Sequence, residues 1–163
     1  MTTSLSVSVN INKDINTVFS TICDGDYIRK KLQANGARNV DVQSSGHDGA
    51  SARLVYTREE AADVPSAFKK FISEWNQITS RDNWTGTPGE SYHCTYQVEA
   101  NNPVKISGRH TLEPNGSGTT STIYMDISCR IPLVGKKLEK FVAGLSQKSL
   151  QEDVDFQKLY MTD

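Results

Sequence analysis

The stretch that decides the fold is residues 123–145, which read IYMDISCRIPLVGKKLEKFVAGL. Apolar and polar residues alternate from Ile123 to Ile131, which predicts a strand with one buried face. Pro132 ends that strand because it has no backbone N–H to donate. From about Val134 the apolar residues recur every three or four positions, which predicts one long helix that reaches Tyr160. The stretch therefore predicts a sheet whose last strand leads directly into a long covering helix.

The predicted helix has one main apolar stripe. The stripe consists of Val134, Leu138, Phe141, Val142, Leu145, Phe156, Leu159 and Tyr160. Leu150 and Val154 lie off this stripe, so the helix is expected to touch two surfaces or to bend. Since a fully buried Leu or Phe contributes roughly 1.5–3 kcal/mol, the stripe is expected to cover the concave face of the sheet.

Six strands are predicted between Ala37 and Ile131, because apolar residues recur there with a period of two. Turns separate them, and residues 114–118 (PNGSG) form the clearest hairpin turn. Hairpin connections imply a largely antiparallel sheet. Residues 59–65 are expected to be a connector. The stretch from Phe71 to Trp84 predicts a long strand of ambiguous parity, consistent with a bulge.

The N-terminal residues predict one more strand and two short helices. Residues 5–11 alternate between apolar and polar, and Asp14 is placed to cap a helix that follows directly. Residues 24–26 (DGD) interrupt that helix, and a second one stops at residues 35–36 (NG). We therefore predict an α+β fold in one domain, residues 1–163: a curved antiparallel seven-stranded sheet wrapped on a long C-terminal helix, with two short helices after strand 1.

Composition and charge exclude several classes of protein. The 163 residues carry 18 Lys and Arg against 19 Asp and Glu, a formal charge of −1, so no nucleic-acid partner is expected. No apolar run approaches the ~20 residues that a bilayer requires, so no stable membrane insertion is expected. The N-terminus lacks the pattern of a secretory signal, and the three cysteines are odd in number and far apart. These features predict a cytoplasmic protein with reduced thiols.

The order of elements resembles the helix-grip superfamily, which includes START lipid-transfer domains, the birch-pollen allergen group and bacterial polyketide cyclases. The resemblance covers nearly the whole chain. Its most specific piece is residues 131–139 (IPLVGKKLE), which look like the strand-to-helix junction of a bacterial branch of uncharacterised function. Pro103-Val104 followed by Gly108, and the hairpin at residues 115–119, also look like that branch. The glycine-rich phosphate-loop-like motif of the allergen group is absent, since residues 44–49 form only a turn. The resemblance implies a helix-grip fold with a hydrophobic cavity, and it transfers no catalytic residue.

The predicted cavity lies between the sheet and the C-terminal helix, where ligand cavities of about 300–1,000 Å³ occur. The expected helical wall consists of Leu138, Phe141, Val142 and Leu145, and the expected sheet wall includes Tyr96, His110 and Met125. Tyr56, Tyr92 and Trp75 are further candidates for the lining. Aromatic residues are also common in strands for packing reasons alone, so this pattern is weak support.

His110 is the histidine that the sequence places among apolar side chains. By strict alternation it shares a face with Val104, Ile106 and Leu112. One interpretation is a core histidine bonded to a backbone carbonyl or a tyrosine hydroxyl. The other is a polar anchor that orients a ligand carbonyl or hydroxyl, or acts as a general base. No histidine has a partner at metal-ligand spacing, so neither a metal site nor a cofactor is expected.

Three functions remain open at this point. The leading hypothesis is binding or transport of a small hydrophobic or lipid-like molecule, with His110 supplying direction. The second is a cyclase- or hydrolase-type enzyme in the same cavity, which needs a catalytic pair, whereas His110 is the one plausible inward titratable group. The third is an interaction module whose cavity is filled by its own side chains. The sequence does not identify a protein partner.

Overall fold

The structure, a computed structural model, describes residues 2–162 and has the predicted α+β architecture. Its strands are β1 (Thr3–Ile11), β2 (Arg38–Ser44), β3 (Ser51–Ala61), β4 (Trp75–Thr87), β5 (Ser91–Ala100), β6 (Val104–Asn115) and β7 (Gly118–Cys129). Its α-helices are α1 (Ile15–Ile22), α2 (Gly25–Ala34) and α3 (Gly135–Tyr160), and a 3₁₀ turn spans Ser66–Phe68. The curved sheet, the two short helices after β1 and the long C-terminal helix confirm the predicted fold. No helix in this part of the chain is long and apolar enough to cross a membrane.

The strands form one antiparallel sheet in the order β1-β7-β6-β5-β4-β3-β2. From β2 to β7, strands that are neighbours in the sheet are also neighbours in sequence. β1 is different, because it pairs with β7: Thr3 lies opposite Ile127 and Ile11 lies opposite Thr119. The first and last strands therefore lie side by side, and α3 packs on both of them.

Two aspartates determine where α1 and α2 begin. Asp14 Oδ2 accepts a hydrogen bond of 3.2 Å from the backbone N–H of Thr17, and Asp24 Oδ2 accepts one of 3.2 Å from that of Tyr27. Each carboxylate satisfies an N–H that the first helical turn leaves without a partner. Because Asp24 starts a new helix shortly after α1 ends at Ile22, the chain forms two short helices rather than one.

The buried face of α3 differs from the apolar stripe predicted for it. Leu150 and Val154, which were expected to lie off the stripe, are in the core, whereas Leu159 is 75% exposed. Three polar residues of α3 are buried as well: Glu139, Ser146 and Gln157. With spacings of three or four residues, the buried series runs through Leu138, Val142, Ser146, Leu150, Val154 and Gln157. Polar residues occupy some positions of the buried face. A prediction that uses apolar residues alone therefore identifies a neighbouring face of the helix instead.

The segment before β4 also differs from its prediction. Phe71 and Ile72, expected in a long strand, lie in a turn, and their backbone N–H groups donate to the carbonyl of Phe68 at 2.9 and 3.0 Å. β4 begins at Trp75. From there the even-numbered side chains face the concave side of the sheet up to Trp84, which settles the parity that the sequence leaves open.

Two strand ends lie two or three residues from their predicted positions. β7 ends at Cys129, before the predicted Ile131. β3 continues into the predicted connector as far as Ala61, which pairs with Trp75 of β4. This longer β3 places Arg58 and Glu60 on a regular strand, where the alternation of side chains decides which way they face.

Candidate functional site

A cavity of about 400 Å³ lies between the concave face of the sheet and the helices α2 and α3. Strands β3 to β7 supply one wall, and the two helices supply the opposite wall. The rings of Tyr27, Tyr56, Trp84 and Tyr96 line it together with aliphatic side chains. The volume is within the range of sites that hold small organic molecules.

Five of the seven predicted site residues line this cavity: Tyr96, His110, Met125, Val142 and Leu145. Leu138 and Phe141 do not. Leu138 is on the same face of α3 as Val142 but one turn earlier, where the helix contacts the sheet directly, and it is fully buried. Phe141 points to the side and packs on Phe68, with ring centroids 5.4 Å apart. The helical wall of the cavity therefore begins at Val142 rather than at Leu138.

Of the further aromatic candidates, Tyr56 lines the cavity, whereas Tyr92 and Trp75 do not. The Tyr92 ring stacks on Phe19 at 3.8 Å between centroids, under α1. Trp75 has odd parity on β4, and the guanidinium of Arg38 lies 3.7 Å from its ring centroid. Both rings thus belong to packing outside the cavity.

His110 lies in a chain of buried hydrogen bonds. Its Nε2 is 2.7 Å from the Ser121 hydroxyl oxygen, and that hydroxyl donates to Gln157 Oε1 at 2.9 Å. A serine has one hydroxyl proton, so Ser121 accepts from His110 and Nε2 carries a proton. The structure thus supplies a serine where the sequence suggested a backbone carbonyl or a tyrosine. Burial, helped by the charge of Lys31, lowers the pKa of His110 to about 3, so the ring is neutral at neutral pH.

The cavity wall carries a polar cluster that sequence reasoning missed. It comprises Lys31 of α2, Arg58 and Glu60 of β3, Ser80 and Asp82 of β4, and Asp153 of α3. Arg58 bridges two strands: Nε is 2.7 Å from Glu60 Oε2, and Nη1 donates to Ser80 Oγ at 2.6 Å. Continued alternation from Leu54 and Tyr56 would have indicated Arg58 and Glu60. For Asp82, the available signal was its two-residue spacing from Trp84.

The two cavity carboxyls, Asp82 and Asp153, are held in different ways. The Tyr56 hydroxyl donates to Asp82 Oδ2 at 3.1 Å. Asn35 Nδ2 donates to Asp153 Oδ1 at 3.0 Å, and Lys31 Nζ lies 3.9 Å from Asp153 Oδ2. Burial raises the pKa of each carboxyl, and the charge of Lys31 opposes that increase in both cases. Charge on this wall is therefore costly unless a partner accompanies it.

Two buried polar atoms on the wall have no hydrogen-bond partner among the described residues: Tyr27 Oη and Trp84 Nε1. Both residues line the cavity. Buried polar atoms without partners are uncommon in folded proteins because each costs about 1–3 kcal/mol. Each of these two unpaired groups therefore lowers the stability of the fold.

The thiols are poor nucleophiles. Cys23 and Cys94 are buried, and burial raises the pKa of Cys23 to about 12 and raises that of Cys94 as well. Both therefore stay protonated at neutral pH, whereas the thiolate is the reactive form. Within residues 2–162, no group of three His, Cys, Asp or Glu side chains could hold a metal ion.

Comparison with known sequences gives one family. A family model described as "Protein of unknown function (DUF2505)" matches residues 6–160. No curated protein sequence matches the chain.

Comparison with solved structures gives matches over nearly the whole chain. The structure is similar to TTHA0849 from Thermus thermophilus, with 16% identity and a TM-score of 0.68, covering 99% of this chain and 100% of that one. It is also similar to the Zhui aromatase/cyclase from Streptomyces sp. R1128, with 13% identity and a TM-score of 0.70, covering 99% and 94%. Ara h 8.0201 matches with 12% identity and a TM-score of 0.58, covering 96% and 98%. These similarities confirm the predicted helix-grip fold.

Proposed function

The chain belongs to the family described as "Protein of unknown function (DUF2505)", and we propose that it binds a small, mainly apolar molecule in the cavity between the sheet and α3. The observation that carries this proposal is a cavity of about 400 Å³ with aromatic and aliphatic walls and a few polar groups. Such a composition is typical of small-molecule sites. The proposed partner is the small molecule itself, and we place the protein in the cytoplasm because its three cysteines are free.

Apolar burial supplies most of the proposed binding free energy. Transfer of apolar surface from water to a protein interior contributes about 25 cal/mol per Å². Met125, Val142 and Leu145 provide aliphatic surface from the sheet and the helix, and Tyr96 provides an aromatic wall. We therefore expect affinity to increase with the apolar area of the ligand until the cavity is full.

His110 is proposed to orient the ligand in the cavity through a hydrogen bond to the polar group of the ligand. Because its Nε2–H is already donated to Ser121, the neutral ring offers a ligand only the lone pair of Nδ1. This chemistry favours a ligand hydroxyl or amine, which can donate, over a ligand carbonyl. The polar group of the ligand is thus expected near the middle of β6, between β5 and β7.

The direct test is to find the bound molecule. Native mass spectrometry of protein purified without denaturation should show a complex heavier than the chain, or a solvatochromic dye should bind and be displaced by fatty acids and aromatic polyketides. Absence of any bound or bindable apolar molecule would contradict the proposal.

A cavity-filling substitution locates the binding site. Ser146 lines the cavity and is buried, so Ser146→Phe should place a ring in the void and weaken dye binding at least about tenfold. Gln147 is the next residue on α3 and is exposed, so Gln147→Phe adds the same ring outside the cavity and should leave dye binding unchanged. Equal dye affinity in both variants, measured by fluorescence titration, would place the site elsewhere.

A second candidate function, acid–base catalysis on the bound molecule, is favoured by the two carboxyls on the wall. Burial raises the pKa of Asp82 and of Asp153, which brings them closer to the range suited to proton transfer. His110, with a pKa of about 3, is a weak base. Incubating the identified ligand with the protein tests this candidate, because catalysis changes the ligand and binding alone does not.

The third hypothesis required a cavity filled by the protein's own side chains. A void of about 400 Å³ argues against a filled interior.

A further inference from the structure

We infer that the ligand carries one protonated amine, which Asp82 binds at the centre of the concave face. This inference rests on the proposed function, because it specifies the polar group of the molecule that the cavity holds.

Asp82 occupies a central place on the cavity wall. On β4 its nearest neighbours of the same parity are Ser80 and Trp84. Across the sheet it pairs with Leu54 of β3 and with Tyr96 of β5. All of these residues line the cavity. The carboxyl therefore stands among aromatic and aliphatic side chains, with one hydrogen bond, from the Tyr56 hydroxyl at 3.1 Å.

The charges on the wall leave Asp82 without a counter-ion. The wall has three cations and four carboxylates, namely Lys31, Arg58 and Lys148 against Glu60, Asp82, Glu152 and Asp153. Each cation has a carboxylate partner: Arg58 with Glu60 at 2.7 Å, Lys31 with Asp153 at 3.9 Å, and Lys148 with Glu152 at 3.9 Å. No ion pair to Asp82 is formed by residues 2–162. His110 is neutral, so it does not supply the missing charge.

The burial of Asp82 explains why a cation would be held there. Burial raises the pKa of the carboxyl, while Lys31, the Tyr56 hydrogen bond and Arg58 oppose the increase without cancelling it. An ionised Asp82 therefore lacks sufficient compensation from the described residues. A single ammonium group supplies that compensation and brings the wall to equal numbers of positive and negative charges.

The remaining polar and aromatic groups suit an ammonium group. The rings of Trp84 and Tyr96 lie on the same wall, and aromatic rings attract cations. On the same wall, Nδ1 of His110 is an acceptor, because Nε2 carries the proton. A carboxylate ligand would fit less well, since Lys31 and Arg58 already have acidic partners and the wall would gain a second uncompensated negative charge.

The test compares three ligands that share one apolar chain and differ only in the head group: decylamine, 1-decanol and decanoate. Decylamine is protonated at pH 7, because alkylammonium groups have pKa values near that of Lys. We expect isothermal titration calorimetry to show decylamine binding to the wild-type protein at least about tenfold more tightly than 1-decanol, and decanoate binding most weakly.

Asp82→Asn tests the residue, because it removes the charge and keeps the shape and an acceptor for Tyr56. It should weaken decylamine binding at least about tenfold and leave 1-decanol binding unchanged. Asp41→Asn removes an equal charge from an exposed position on β2 and should change neither affinity.

The outcomes separate the inference from the proposed function. If 1-decanol or decanoate binds the wild-type protein as tightly as decylamine, the inference is wrong and apolar binding stands. Equal weakening of decylamine and 1-decanol by Asp82→Asn also contradicts it. If none of the three binds, the proposed function fails as well. The comparison of head groups on the wild-type protein decides the inference even if the variant does not fold.

Discussion

The neutral state of His110 makes the stability of the protein depend on pH. Its pKa is about 3 in the folded chain, because the ring is buried and Lys31 is near, against about 6.5 when unfolded. Between these values the unfolded chain binds a proton that the folded chain does not. This group therefore lowers the free energy of unfolding as the pH falls from 6.5 towards 3, by up to about 1.4 kcal/mol per pH unit.

His110→Gln should remove this contribution and keep an N–H donor for Ser121. We expect the wild-type protein to lose free energy of unfolding relative to this variant as the pH falls from 6.5 to 4, measured by urea unfolding. His93→Gln changes an exposed histidine of β5 and should keep the wild-type pH dependence. Parallel pH profiles for the wild-type protein and His110→Gln would show that His110 is not held neutral.

Gly108 is required because the Tyr96 side chain crosses it. The Tyr96 hydroxyl donates to the Tyr124 carbonyl at 2.7 Å, and a Cβ on Gly108 would lie 2.5 Å from that hydroxyl oxygen and closer still to the Tyr124 carbonyl oxygen. Gly108→Ala should therefore lower the free energy of unfolding by about 1–3 kcal/mol. Gly144 of α3 has open space at the same position, so Gly144→Ala should raise it by about 0.5–1 kcal/mol. Chemical unfolding of both variants checks this opposite sign.

At the scale of single residues, the sequence predicts which face of a strand a side chain lies on better than it predicts the hydrogen-bond partners of that side chain. Strand alternation predicted that His110 and Tyr96 face the helix side of the sheet, and both line the cavity. It did not reveal that Ser121 and Gln157, from a neighbouring strand and from α3, would join His110. Asp82 was missed because a carboxylate in a strand suggests an outward side chain, whereas here pairing across the sheet determines its orientation. Hydrogen-bond partners depend on three-dimensional contacts that no local spacing specifies.

At the scale of elements, α3 shows that polar residues on a buried face make that face difficult to predict from the spacing of apolar residues. Leu150 is 2% exposed and packs against Ile123, whereas Leu159 is 75% exposed. Leu150→Ala should lower the free energy of unfolding by about 2–5 kcal/mol. Leu159→Ala should change it by no more than about 0.5 kcal/mol. Urea unfolding of the two variants measures both values. If Leu159→Ala loses more free energy of unfolding than Leu150→Ala, the buried face is the stripe predicted from apolar spacing.

The end of a helix or strand was predictable where one side chain determines it, for example by capping the helix. Asp14 was identified as a cap, and its carboxylate does accept from Thr17. The start of β4 was not predictable, because Phe71 and Ile72 are apolar enough for a strand but are held in a turn by bonds to the Phe68 carbonyl. Apolar character alone does not distinguish a strand from a turn that packs against a helix.

At the scale of the whole molecule, the order of elements was sufficient to predict the helix-grip architecture. Consecutive hairpins favour a meandering antiparallel sheet, and one long helix is what can cover it. The polar wall of the cavity was not predictable at this scale, since it depends on how far α2 and α3 stand from the sheet. That distance is set by side-chain packing between elements far apart in sequence.

The pairing of β1 with β7 has a consequence for synthesis on the ribosome. Thr3 meets Ile127, so the first strand to emerge has no sheet neighbour until the last strand has been translated. At about 5–20 residues per second, that interval lasts roughly 5 to 25 seconds. During it β1 lacks the strand that satisfies its backbone groups in the folded protein, and an unpaired edge of this kind can pair with another chain. Synthesis of β7 and α3, rather than the folding of any earlier hairpin, is therefore the event that first allows the cavity to close.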